Sequence, residues 1–316
     1  MSTETTPVAT ESRALTSAIF TDAATLKPAA PELFDVAFTA VTQPCPWPKA
    51  YGGDMVTQAA VAAMRSVENK AMHSMHSYFM RPVDIGAEIR YEVEVLRDGR
   101  GYSQRQVRGV QNGKVAYVAM ASFASGAPGG TFHSSMPADI PDPEPLPSTA
   151  DYLSRRNGGT MTAASKAYWC EGRSFDMRHV PGPVYLTVEG GPRPQQAVWV
   201  KPFDTLRSVA GLTTAQRDLA ALAYVCDYTI LEPLLRLLGL SWADEGVVTA
   251  SLDHTMWIHR SPQPGDLDGW LLYAQEAVAT DSGRGLGYGR FFTPDHRHLA
   301  TVVQEGMIRE PERNPS

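Results

Sequence analysis

Apolar positions recur along this chain in two rhythms. Val56, Ala59, Ala60, Ala63, Met64 and Val67 fall at helical spacing, and so do Leu219, Leu222, Ala223, Cys226 and Ile230. Each set predicts a helix with one buried face. The second helix opens with Thr213 and Gln216, residue types that close a capping box, and Pro233 is expected to end or kink it. Elsewhere the period shortens to two: Ile89, Tyr91, Val93 and Val95 alternate with Glu88, Arg90, Glu92 and Glu94, giving one buried and one wet face. LFDVAFTAV reads as a strand before the first helix, and HSMHSYFMRP, AEIRYEVEVL, YSQRQVRGVQ and KVAYVAMASF as four strands after it. Asp98-Gly99 and Asn112-Gly113 suit tight hairpins between them.

The second half repeats this order. QQAVWVKPF precedes the second helix, and VVTASLDHTMWIHR, GWLLYAQEAVAT, GLGYGRFFTP and LATVVQEGMIR follow it as strands. Letters recur as well: Tyr51-Gly-Gly-Asp54 matches Tyr224-Val-Cys-Asp227, His76 lines up with His254, and AYVAMASF lines up with ATVVQEGM. In that register Gln304 falls where Met120 stands, so the polar equipment is unequal and one site per chain is expected. The fold class is α+β, with a long helix wrapped by an antiparallel sheet, twice. Residues 1–30 read as a mobile segment, 31–125 as the first unit, 126–194 as a Pro-, Gly- and Ser-rich connection with short patterned pieces such as PVYLTVEG, and 195–316 as the second unit.

Composition narrows the function. The 316 residues carry a formal net charge of -6, which supplies no basic stripe for nucleic acid. No apolar run is long enough for a membrane span, and the first residues do not form a secretory leader. Cys45, Cys170 and Cys226 are too scattered for a zinc site, so neither metal nor cofactor is expected, and unpaired thiols fit a cytoplasmic protein. The C-terminus is not a peroxisomal address of the Ser-Lys-Leu type. No nucleophile elbow, Walker loop or dinucleotide fingerprint is present, and the run Gly283 to Gly289 reads as a bend rather than a phosphate cradle.

The chemistry centres on Asp227, a lone carboxylate on an apolar helix that would ordinarily face solvent. AYGGDMVTQA, HSMHSYFMRP, EVLRDGRGYSQRQVRGVQNGK, SLDHTMWIHR and TVVQEGMIR resemble, in order, the corresponding stretches of the acyl-CoA thioesterase II family. The resemblance implies two fused hotdog units, acyl-CoA as substrate, hydrolysis to free fatty acid and CoA, and a catalytic set of Asp227, Ser251 and Gln304. Asp227 would activate water, with Ser251 and Gln304 orienting it. Two departures stand out: the family's Phe-Gly-Gly-Gln is Tyr51-Gly-Gly-Asp54 here, and the N-terminal segment differs. Arg105, Arg108 and Arg284 are candidates for the CoA phosphates. Alternatives from other classes are a hotdog hydratase, which wants a histidine at the site, and an idle acyl-CoA-binding module. Asp253 cannot orient His254, because neighbours on a strand face opposite ways. Cys226 is expected to point into the apolar stripe as an inert thiol. The sequence leaves open whether chains pair into a homo-oligomer, dimer or tetramer.

Overall fold

A computed structural model describes residues 19–155 and 161–310. A helical segment over residues 19–24 (α1) leads into β1 (Lys27–Ala29) and β2 (Val36–Val41). Helix α2 (Gly52–Met64) follows, then β3 (Ala71–Phe79), β4 (Glu88–Asp98), β5 (Tyr102–Gln111) and β6 (Lys114–Ala124). Short helices α3 (Thr149–Ser154) and α4 (Ala163–Ala167) and a π-helical turn (Tyr168–Gly172) precede β7 (Phe175–Val180) and β8 (Gln195–Pro202). Then come α5 (Thr214–Val225), α6 (Glu232–Leu238), β9 (Val248–Ser251), β10 (Asp253–Ile258), β11 (Leu271–Asp281), β12 (Arg284–Phe292) and β13 (His298–Arg309).

All the strand pairs are antiparallel and form one 13-stranded sheet in the order β1-β2-β4-β5-β6-β3-β10-β13-β12-β11-β8-β7, with β9 also on β13. The second half is the mirror of the first in strand order, and β3 on β10 is the seam. The sheet wraps α2 in the first half and the short α6, against β11 and β12, in the second, so the wrapped helix there is not the long one expected from the sequence; α5 packs along α2. Ala59, Ala60, Ala62 and Ala63 on α2 and Ala220, Ala221 and Ala223 on α5 are fully buried, and such short side chains let the two backbones approach. The approach is close enough for the Thr57 hydroxyl to donate to the Ala220 carbonyl at 2.8 Å.

Several expectations need correction. Residues 1–18 lie outside the described residues, but the remainder of the supposed mobile segment is anchored: Phe20 is fully buried against Phe175 and Tyr224, and β1 pairs with β2. Within 126–194, read as a connection, FDMRHV forms the strand β7, and the chain leaves it at Pro181 and Pro183, which offer no N–H to a ladder. Pro233 does not close the second helix. The helix stops at Val225, and Pro233 lies in the first turn of α6, where its missing N–H costs nothing. Of the glycine-rich run expected to bend, only Gly283 turns, together with Ser282 before it, and Arg284 onward is strand. The letter register of the repeat is also one residue out along the seam. His76 points outward while His254 is fully buried, and Met120 is 42% exposed while Gln304 is 0% exposed. A one-residue slip swaps faces on a strand, so the inward positions flanking Met120 are the buried Ala119 and Ala121. Neither alanine replaces the amide.

Candidate functional site

Asp227 stands in the turn between α5 and α6, just beyond Cys226, the C-cap of α5. That turn lies directly on β12, and only glycine permits it: a Cβ at Gly287 would come within 2.4 Å of the Ile230 carbonyl. Gly287 pairs with Gln304 on β13, which therefore faces the turn. Gly306, two residues on and on the same face, pairs with Ser251 on β9. Two ladders thus deliver both side chains to one carboxylate. Gln304 Nε2 donates to Asp227 Oδ1 at 2.8 Å and to Ser251 Oγ at 2.8 Å, and Ser251 Oγ donates to Asp227 Oδ1 at 3.3 Å. The other amide atom, Gln304 Oε1, is buried and has no donor among the described residues. All three residues expected from the sequence are brought together.

The first half supplies the opposite wall. A Cβ at Gly52 would lie 2.5 Å from Asp227 Oδ2 and 3.1 Å from the Phe79 ring, and one at Gly53 would lie 2.4 Å from the Tyr224 carbonyl. The glycine pair at the start of α2 lets that helix end touch the carboxylate, and the Gly53 N–H bonds to it. Burial raises the Asp227 pKa to about 6, with Gln304, Ser251 and the Gly53 N–H opposing the rise. Asp227 nevertheless keeps part of its residue surface accessible, so a desolvated carboxylate still meets solvent. The role of Gly52 and Gly53 was missed in the sequence, although a Gly-Gly pair opening a helix is the signal that would have found it.

Beneath Asp227, Cys226 Sγ lies 3.0 Å from His254 Nε2. Cys226 therefore meets a histidine, not only apolar neighbours, because β10 carries His254 inward under the turn. Burial lowers the His254 pKa to about 4, while burial and the Asp227 charge push the Cys226 thiol well up, so both stay neutral near pH 7. Asp253 accepts the Glu305 N–H at 2.8 Å and does not orient His254. Of the candidate phosphate ligands, Arg105 is overturned: it points inward, 2% exposed, and holds Asp98 at 2.9 and 3.0 Å together with Ser66. Arg108 lies over the Phe34 ring, and the exposed Arg284 sits 3.8 Å from Glu305. Among the described residues no group of three or more His, Cys, Asp and Glu is placed to hold a metal ion.

A buried carboxylate held by an amide and a hydroxyl between two copies of one unit places the molecule among thioester-cleaving enzymes once its relatives are considered. Residues 43–124 match the model of the acyl-CoA thioesterase N-terminal domain and residues 137–308 that of the acyl-CoA thioesterase C-terminal domain. Acyl-coenzyme A thioesterase 8 of Homo sapiens is 32% identical over 275 residues, 84% of this chain and 82% of its own length. Acyl-CoA thioesterase 2 of Haemophilus influenzae is 30% identical over 287 residues, 88% and 94% of the two chains. The crystal structure of the acyl-CoA thioesterase II TesB2 from Mycobacterium marinum superposes with a TM-score of 0.70 at 29% identity, covering 94% of this chain and 99% of that one. A protein from Alicyclobacillus acidocaldarius described as having a hot dog fold reaches a TM-score of 0.70 at 18% identity, over 92% and 98% of the chains, and shares the fold. The chain belongs to the acyl-CoA thioesterase II family and is an acyl-CoA hydrolase.

Proposed function

We propose that this protein is a double hotdog in which Asp227 activates water against the thioester carbonyl of acyl-CoA. The two units would span 31–125 and 195–316, joined by 126–194, which contributes β7. The observation that carries the mechanism is the convergence of Gln304 Nε2 and Ser251 Oγ on a single oxygen, Asp227 Oδ1. That arrangement fixes the carboxylate and leaves Oδ2 to take a proton. A carboxylate with a pKa of about 6 is ionised at neutral pH yet more basic than an exposed one.

Water gives its proton to Asp227 as its oxygen bonds to the carbonyl carbon. Collapse of the tetrahedral intermediate breaks the C–S bond, and the proton on Asp227 passes to the departing CoA sulfur. Gln304 Oε1, with no protein donor of its own, is free to accept the second water hydrogen. The Cys226–His254 pair is a rival nucleophile on paper. Its neutral thiol and imidazole argue for attack by water without an acyl-enzyme. Arg108 and Arg284 remain candidates for the CoA phosphates. Cytoplasmic residence is supported by three free cysteines, and no helix among the described residues is long and apolar enough to cross a membrane.

A panel of acyl-CoAs with detection of the freed thiol tests the activity and ranks the acyl chains. Single-turnover hydrolysis in heavy-oxygen water, with mass spectrometry of quenched protein, tests the route. Label should enter the acid directly, and an adduct on Ser251 or Cys226 that forms and decays at the turnover rate would overturn it.

A further inference from the structure

The glycine-rich run on β12 has a use beyond Gly287. A Cβ at Gly289 would stand 2.4 Å from the Tyr273 ring, which stacks on Phe291 with centroids 3.9 Å apart. The missing side chain lets the ring lie against the β12 backbone and reach the turn that carries Asp227. There the Tyr273 hydroxyl donates to the Cys226 carbonyl at 2.9 Å. That carbonyl belongs to the peptide group joining Cys226 to Asp227, so the phenol holds the plane from which the carboxylate's main chain continues. Burial, then Cys226 and Asp227, push the phenol's pKa well up against Gln275 beside it, so it stays a donor.

A second tie lies two residues along β11, on the same face. Gln275 Nε2 donates to the Thr229 hydroxyl at 2.7 Å, on the far side of Asp227. The amide is held against flipping, because Gln275 Oε1 accepts from Gln196 Nε2 at 2.8 Å, and Gln196 Nε2 also donates to Glu232 Oε2 at 3.0 Å. Tyr273, Gln275 and Thr229 are all buried. Asp227 lies past the last residue of α5 and before the first of α6, so the ladder of neither helix includes it. Where its main chain sits depends on what the turn is tied to.

We propose that Tyr273 and Gln275 are positioning residues for the reaction: they clamp the turn on both sides of Asp227 and so fix where its carboxylate meets water. Gln304 and Ser251 hold the side chain, and β11 holds the main chain beneath it. Misplacing a reacting group by about 1 Å can cost on the order of 100-fold in rate, so such a clamp acts on turnover more than on substrate binding. Burial raises the Asp227 pKa and Gln304 and Ser251 oppose the rise, so loosening their contacts would make the carboxyl titrate higher.

The inference rests on Asp227 as the base, but its decisive readout does not need turnover: the Asp227 carboxyl band in infrared difference spectra of each variant against the same variant carrying Asp227→Asn. Tyr273→Phe removes one tie and Thr229→Val removes the acceptor of the other, each with little change of shape. Each should lower kcat roughly 10-fold with KM nearly unchanged, and should move both the infrared titration and the acid limb of the rate profile above about 6. Thr229→Ser keeps a hydroxyl for Gln275 and should restore all three. Tyr91→Phe breaks a buried phenol's 2.8 Å hydrogen bond to Gln58 away from the turn, and should lower Tm while kcat and the titration stay in place. A titration that stays at about 6 in Tyr273→Phe or in Thr229→Val would overturn that tie, whatever happens to Tm. With Asp227→Asn inactive, wild-type kcat in both would overturn the clamp as well. Should Asp227→Asn retain wild-type kcat, the base reading fails, and a raised titration in the two variants would still carry the positioning.

Discussion

Asp54 and Asp227 stand at matching letters of the repeat, yet Asp54 lies in the first turn of α2 and Asp227 in the turn between α5 and α6, and they differ in everything that matters to an acid. Asp54 is fully buried; one oxygen accepts the Gln43 N–H at 2.7 Å and the other has no partner. Burial lifts its pKa to about 8, the Gln43 N–H pulls the other way, and the Asp227 charge adds to the rise. Asp227 has three donors and a path to solvent, and its pKa is about 6. At pH 7 the first is a neutral acid and the second an anion. Donor supply and access to water, not residue type, separate an acid that is neutral at pH 7 from one that is ionised.

The comparison breaks most sharply at Asp227. Asp227→Asn should fold and bind CoA esters but lose at least 100-fold in kcat, the scale of removing a general base; a steady-state assay with wild-type kcat would end the assignment. Gln304→Ala should cost roughly 10- to 100-fold and Ser251→Ala less, since their contacts with Oδ1 are 2.8 and 3.3 Å. The double variant should lose less than the product, because both hold one carboxylate, and strict additivity would contradict that.

Titration sharpens the comparison. The base must be ionised, so kcat/KM should fall about tenfold per unit below an apparent pKa of about 6 and level off above it. Asp54→Asn should leave both the plateau and the limb nearly unchanged; a loss as deep as that of Asp227→Asn would make Asp54 a second site. Its effect should be on stability instead. An acid whose pKa rises from 3.8 unfolded to about 8 folded binds more protons when folded, so its contribution is present at low pH and is lost as pH rises through that window. Melting temperature should therefore decline between about pH 5 and 8 in wild type, and less so in Asp54→Asn.

Much of this was legible beforehand. Period-two and period-3.6 patterns located both long helices and the strands after them, and three local motifs located Asp227, Ser251 and Gln304, which the structure gathers within 3.3 Å. What failed shares one cause: side-chain direction depends on pairing. The letters align His76 with His254, but only the ladder at the seam reveals that one faces out and the other in. Arg105 looked like a surface cation until its place on β5 turned it toward Asp98 and Ser66.

The seam has a mechanical consequence. Ser74 to Tyr78 pair with Asp253 to Trp257 in mid-sheet, so neither half possesses a free margin there. Pulling the halves apart would open two raw strand edges and part α2 from α5 together, and the two cannot come undone separately. The chain should melt in a single transition, and a protease cut in the strandless stretch after β6 should leave a nicked molecule that still travels as one particle and still turns over substrate.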